Sequence, residues 1–154
     1  MARWGFECPQ KPSVAVLAYI AGLIDGEGSI RFALTGRSQS QRAIQIHVWN
    51  SDAAVMNWLV TKIGGVTHLR KQTNPALKPA WQWTASTQRA TWLLPLIRPY
   101  MIIKAPQADL AISFHRIIEK MRAEHGARLP RGPLPEPLVS IADQMLRLNR
   151  KGAR

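Results

Sequence analysis

Asp25 and Glu27 stand one residue apart between glycines, in Ile24-Asp25-Gly26-Glu27-Gly28, where a helical apolar pattern gives way to an alternating one. Carboxylates at a helix C-terminus sit at the negative end of the helix dipole, so the peptide carbonyls oppose them and they oppose each other. The pair is destabilising there unless a cation joins it, and it reads as half of a metal site. Hard divalent cations such as Mg²⁺ need only one or two carboxylates when phosphate oxygens and waters complete the shell, so the scarcity of other acids nearby is no obstacle. Other chemistries lack their residues. Cys8 is the single cysteine, which excludes an intramolecular disulfide and a Cys/His zinc cluster, and His47, His68 and His115 do not form a histidine-based nuclease set.

The carboxylates are presented by the helix that precedes them. Ser13 is a good N-cap, and Val14, Leu17, Ile20, Ala21 and Ile24 recur at helical spacing. The helix is predicted to end near Asp25, with Gly26 and Gly28 free to take positive φ in an abrupt exit. Ala15, Ala18 and Gly22 form a small-residue line along it, which lets a second helix backbone approach closely; a tight contact within one subunit explains the line equally well.

From there the pattern repeats. Residues 29–35 alternate as a strand, 36–41 form a polar hairpin loop, and 43–49 return as a strand. Ser51-Asp52 cap a helix that stops at Gly64-Gly65. Val66–Gln72 and Trp81–Ala85 make a second strand pair, followed by a helix over 87–97 that Pro95 is expected to kink or shorten. A connector over 98–105 leads to a long helix with Pro106 in its first turn. The predicted class is α+β, in αββαββα order, with helices covering the apolar face of a four-stranded antiparallel sheet. Residues 1–12 read as an N-terminal arm, 13–125 as the core and 126–137, with four prolines, as a stiff linker. Residues 138–154 read as a short helix that docks on the domain, followed by a basic tail.

With 154 residues, 46% of them hydrophobic, the chain suffices for one core and not comfortably for two. Twenty-one Lys and Arg against nine Asp and Glu give a net charge of +12. Such a balance calls for a polyanionic partner, nucleic acid first, although charge serving solubility, a ribosome or an anionic membrane surface would also account for it. No apolar run approaches a membrane span and the N-terminus lacks an apolar signal core, so the expected location is intracellular, in an organelle or a prokaryotic cytoplasm. If Ile30, Phe32, Ile44, Ile46, Val48, Trp81 and Trp83 face the core, the other sheet face carries Arg31, Arg37, Gln45, His47, Trp49, His68, Arg70, Gln72, Gln82, Thr84 and Ser86. That set has almost no acids, unlike an ordinary solvated face, and its side chains can hydrogen-bond base edges in a major groove.

The nonapeptide Ile20-Ala21-Gly22-Leu23-Ile24-Asp25-Gly26-Glu27-Gly28 resembles the signature of the LAGLIDADG homing endonucleases. It departs from that signature in Ile20 for the first Leu, Gly26 at the seventh position and Glu27 for the eighth-position Asp, the last keeping the carboxylate and adding a methylene. The resemblance covers about residues 14–125. It implies that Glu27 is the metal-binding carboxylate, with the Gly26 carbonyl beside it; Asp25 either joins them or hydrogen-bonds backbone amides at the turn. Pro99-Tyr100-Met101-Ile102-Ile103-Lys104-Ala105-Pro106-Gln107-Ala108 is similar to the family's Pro-Phe/Tyr-Leu-x-x-Lys-x-x-Gln-Ala segment, which implies that Lys104 stands near the scissile phosphate. Asn50 matches a position where the family often has Gln, and either orients the attacking water or begins the turn into the next helix.

The signature occurs once, and cutting a duplex needs two scissile phosphates. The implied state is a homodimer whose Ala15, Ala18 and Gly22 stripes meet at a twofold axis on a long, roughly palindromic double-stranded DNA target. The implied activity is Mg²⁺- or Mn²⁺-dependent hydrolysis that leaves short 3′ overhangs, with Ca²⁺ as a non-catalytic substitute. Binding of intron RNA as a splicing maturase, or DNA binding without catalysis, is the alternative on the same fold.

Overall fold

The computed structural model describes residues 9–35, 41–71, 73–74, 76–126 and 133–150. The Ser13 hydroxyl accepts the Val16 N–H at 3.4 Å and opens helix α1 (Val14–Glu27), which buries Leu17, Ile20, Ala21 and Ile24. The helix runs two residues past the expected stop near Asp25. Neither Gly26 nor Gly28 takes a positive φ, contrary to the sequence expectation. Gly28 has φ −105° and its N–H closes the helix on the Ile24 carbonyl. What the position needs is space: a Cβ at Gly28 would lie 2.7 Å from the Ile24 carbonyl oxygen and 3.0 Å from that of His47. Only glycine lets the following strand leave the helix this closely.

That strand, β1 (Gly28–Thr35), pairs with β2 (Gln41–Asn50); the loop between them, including Arg37, lies outside the described residues. Helix α2 (Ala53–Ile63) is capped by the Asp52 side chain, which accepts the Ala54 N–H at 2.8 Å, and ends at Gly64, whose φ of 70° favours glycine. Strands β3 (Val66–Arg70) and β4 (Ala80–Ser86) form the second hairpin. β3 stops short of Gln72, which lies outside the described residues. Helix α3 (Gln88–Ile97) follows, then a 3₁₀ turn (Arg98–Tyr100), α4 (Ala105–His125) and α5 (Leu138–Asn149). Pro95 does not end α3 at its own position; the helix continues to Ile97. The missing N–H removes one bond close to a terminus, where little ladder remains to lose.

The four strands form one antiparallel sheet in the order β1-β2-β4-β3, and with the helices they make an α+β fold. Register fixes the faces. Ile30 lies opposite Ile46, Phe32 opposite Ile44, Val48 opposite Trp83 and Ile46 opposite Ala85, so one face is apolar. The helices cover it: Ile30, Ile46, Val48 and Trp83 are fully buried with Met56, Leu59, Ile63, Leu93 and Leu94. Trp83 keeps its indole N–H satisfied by donating to the Gly64 carbonyl at 2.9 Å, and Phe32 packs on Phe114 with ring centroids 4.4 Å apart.

Helix α5 rests on α4 and β1, burying Leu138, Ile141, Ala142 and Met145. The Asn149 side-chain amide donates to the Ile30 carbonyl at 2.8 Å, so the helix covers part of an otherwise open sheet edge. Residues 1–8 of the expected N-terminal arm, residues 127–132 of the proline-rich stretch and the basic tail 151–154 lie outside the described residues.

Candidate nucleic-acid interface and metal centre

The end of α1 is held by its first carboxylate. Asp25 is 8% exposed, and its oxygens accept three consecutive backbone N–H groups: Ile102 at 2.6 Å and Ile103 at 3.1 Å on Oδ2, Lys104 at 2.9 Å on Oδ1. Burial alone would raise its pKa; the three amides and the Lys104 charge outweigh it and hold the carboxyl below its ordinary value. Of the two roles the sequence leaves open for Asp25, the structure has the hydrogen-bonding one, with amides supplied by the connector some eighty residues along rather than by the turn itself. Oδ2 accepts two of these amides and Oδ1 one, so hydrogen bonding to the connector is the role the structure displays for Asp25.

This clamp fixes the neighbouring groups. The Lys104 ammonium donates to the Asp25 carbonyl at 2.5 Å, neutralising part of the helix's negative end. Glu27 is exposed on the last turn, and its carboxylate has no hydrogen bond or ion pair among the described residues. The Gly26 carbonyl belongs to the same turn and has no intrahelical partner. Among the described residues no three His, Cys, Asp or Glu side chains gather at one place. The available set, one exposed carboxylate with a neighbouring carbonyl, fits a hard cation that takes the rest of its shell from waters and phosphate oxygens, and does not fit zinc.

Asn50 ends β2, two residues past the Val48 that pairs with Gly28. Its Oδ1 accepts the Asp52 N–H at 2.8 Å, and register sets it opposite Trp81, on the helix side of the sheet. The turn-forming role is the one the structure displays. The small-residue line of α1 faces outward: Ala15, Ala18 and Gly22 are exposed, beside Val14 and Tyr19. A Cβ at Gly22 or Gly26 would meet nothing within 4 Å. Among the described residues, no element of the same subunit packs tightly on the stripe.

The sheet face away from the helices carries the described members of the predicted polar set: Arg31, Gln45, His47, Trp49, His68, Arg70, Gln82, Thr84 and Ser86. Ser29, Val66 and Ala80 share it by register, and alternation alone would have found them. Several of these side chains are not independent. The Arg31 guanidinium donates to Gln45 Oε1 at 3.2 Å, and the same oxygen lies 3.1 Å from His47 Nε2. His47 Nδ1 meets the Gln82 amide nitrogen. Gln82 Oε1 accepts from Arg70 Nε at 2.8 Å, and the Arg70 guanidinium lies 5.2 Å from the ring centroid of Trp49.

The two arginines set the polarity of this chain from both ends. Arg70 can only donate, so the Gln82 oxygen faces it and the Gln82 NH₂ faces His47. His47 Nδ1 must then accept, which leaves the ring proton on Nε2 to be donated to Gln45 Oε1, the oxygen that Arg31 also requires. The ring is neutral in this arrangement. Its pKa is lowered to about 4 by burial first and then by the charges of Arg31 and Arg70. His47 and Gln82 are 6% and 3% exposed, whereas Arg31, Arg70 and His68 are exposed.

No family model matches the sequence, and no curated protein matches it significantly. Solved structures do. The archaeal intron-encoded homing endonuclease I-Vdi141I, complexed with DNA, superposes with a TM-score of 0.66 at 18% identity over 90% of this chain and 86% of its own. The homing endonuclease I-CvuI, in complex with its target in the presence of calcium, gives 0.63 at 17% identity over 90% of this chain and 85% of its own. The LAGLIDADG meganuclease I-AabMI, bound to uncleaved DNA, gives 0.54 at 18% identity; 86% of this chain is covered but only 42% of that one.

The neutral, buried His47 makes stability depend on pH. Its folded pKa is depressed below the unfolded value near 6.5, so its contribution is complete above that value and is lost as pH falls toward about 4, because the unfolded chain takes up the proton first. Urea unfolding between pH 7 and pH 4.5 should show a decline of which up to about 3 kcal/mol belongs to this group. His47→Gln should flatten the curve by that share; a curve of unchanged steepness would remove His47 as its source.

Proposed function

We propose that this chain, which has the fold of the LAGLIDADG homing endonucleases, is a site-specific double-strand DNA endonuclease that acts as a homodimer with a divalent cation. The observation that carries the proposal is the clamp at the end of α1: Asp25 draws the connector in through three amides and sets the Lys104 ammonium against the carbonyl two residues before the exposed Glu27. An acid and a cationic group at the same helix end, where a strand of the basic, amide-rich sheet face begins, suit phosphodiester hydrolysis on DNA.

Glu27, with the Gly26 carbonyl, would hold Mg²⁺ or Mn²⁺, with Ca²⁺ as a non-catalytic substitute. Such an ion withdraws charge from the phosphate and lowers the pKa of bound water. The protein's own contributions are positional and electrostatic. Lys104 adds positive charge where negative charge develops on the phosphate oxygens. The clamp spares that side chain a search through rotamers at each turnover, and the sheet face holds the duplex through contacts with phosphates and base edges.

A single copy supplies one such centre. The exposed stripe of Ala15, Ala18 and Gly22 lets the α1 helices of two copies approach at a twofold axis, bringing both Glu27 residues toward the middle of the target. That the chain corresponds to 42% of I-AabMI, at a TM-score of 0.54, supports the reading that two copies make one enzyme. The target would be roughly palindromic, and the two cuts would leave short 3′ overhangs.

Glu27→Gln should slow duplex cleavage on the order of a thousandfold or more, through loss of several kcal/mol of charge stabilisation, while duplex binding is largely kept. Undiminished nicking by the purified variant would contradict the assignment. Gly22→Leu should convert the protein to a monomer in sedimentation velocity, because the side chain would stand between two backbones that must approach closely. A dimer of wild-type affinity would show that the α1 stripe is not the interface.

A further inference from the structure

Arg31, Gln45 and Arg70 share the exposed sheet face, and the buried His47 and Gln82 beneath them settle which of their polar atoms can turn outward. Gln45 Oε1 already takes two donors, Arg31 and His47, which fills both lone pairs; its NH₂ has no partner among the described residues. Arg70 is tied at Nε to Gln82 and lies against the Trp49 ring, so its plane is set and the Nη1/Nη2 edge is the one available. Arg31 spends a single N–H on Gln45. Every polar atom this patch can offer a ligand is a donor.

In the major groove guanine presents two acceptors side by side, N7 and O6, whereas adenine pairs its N7 acceptor with an N6 donor and cytosine presents an N4 donor. A glutamine reads adenine through its oxygen and nitrogen together, and Gln45 has no oxygen to give. We infer that the Arg31–Gln45–Arg70 patch is a guanine reader, that Arg70 makes the bidentate contact, and that Gln82 and His47 are positioning residues that lock its donor-only polarity without touching DNA. The inference rests on the endonuclease reading above and adds a base preference to it: one G·C pair in each half-site, related by the twofold axis, with guanine under Arg70.

The test is selection from a randomised duplex library by the full-length Glu27→Gln protein, followed by sequencing of the bound pool. A G·C pair should be enriched about tenfold or more over A·T at one symmetry-related position in each half-site. Adding Arg70→Lys, which keeps the charge and loses the fork, should erase the preference at that position and leave the profile elsewhere in place. Adding Gln82→Leu should weaken the preference at the same position, although the side chain is too buried to reach a base; should that variant not fold, Arg70→Lys decides alone. An A·T pair at the position that Arg70→Lys alters, or a profile that Arg70→Lys leaves intact, would overturn the inference and leave the endonuclease reading standing. Absence of any sequence-selective duplex binding would remove both.

Discussion

The hydrogen bonds between the Asp25 carboxylate and the amides of Ile102, Ile103 and Lys104 are the constraint on which the rest of the candidate site depends. A buried carboxylate at the negative end of a helix is a cost, and charge-assisted bonds of about 1.5–3 kcal/mol each are what make it tolerable. The same bonds tie together two segments far apart in the chain. Through them the end of α1 and the start of α4 become one rigid corner, and the Lys104 ammonium lies on the last turn of α1. Glu27, two residues after Asp25 on that turn, is left unpartnered among the described residues and exposed, which suits a group whose partners arrive from outside.

The corner also sets the sheet. Gly28 lets β1 start within contact distance of the Ile24 and His47 carbonyls, so the first residue of the strand is locked opposite Val48. From that register everything on the two faces follows, because a slip of one residue would exchange the apolar and polar sets. The polar face is then tightened by its own network. Two arginines that can only donate force the orientation of two glutamines and the tautomer of one histidine between them. A face that looks in sequence like a list of separate contacts is, in the folded protein, a single polarised unit.

Much of this is legible in the sequence. Period-two alternation in residues 29–35 and 43–49 and helical spacing from Val14 to Ile24 are strong local signals, and they place the α+β layers and the sheet faces correctly. The paired carboxylates are conspicuous because their position opposes the helix dipole. What the sequence hides is non-local or a matter of backbone approach. Nothing near Asp25 tells that its partners are amides at 102–104, and the glycine pattern around it invites a positive-φ exit where the need at Gly28 is room for two carbonyls. Alternation puts His47 and Gln82 on the polar face, but does not tell that both are buried there. Asn50 is singled out by a family position that often carries Gln, and the turn it is also expected to begin is seen in its bond from the Asp52 N–H.

Under the endonuclease proposal, Asp25 acts by holding Lys104 and its connector in place rather than by itself meeting a metal ion. A double-mutant cycle on the single-turnover rate of duplex cleavage, using Asp25→Asn and Lys104→Ala in variants that retain the native circular dichroism spectrum, tests it most directly. Asp25→Asn is then expected to slow cleavage markedly when Lys104 is present and to add little once Lys104 is alanine. Losses that multiply in full would mean that the two residues act independently, and would contradict it.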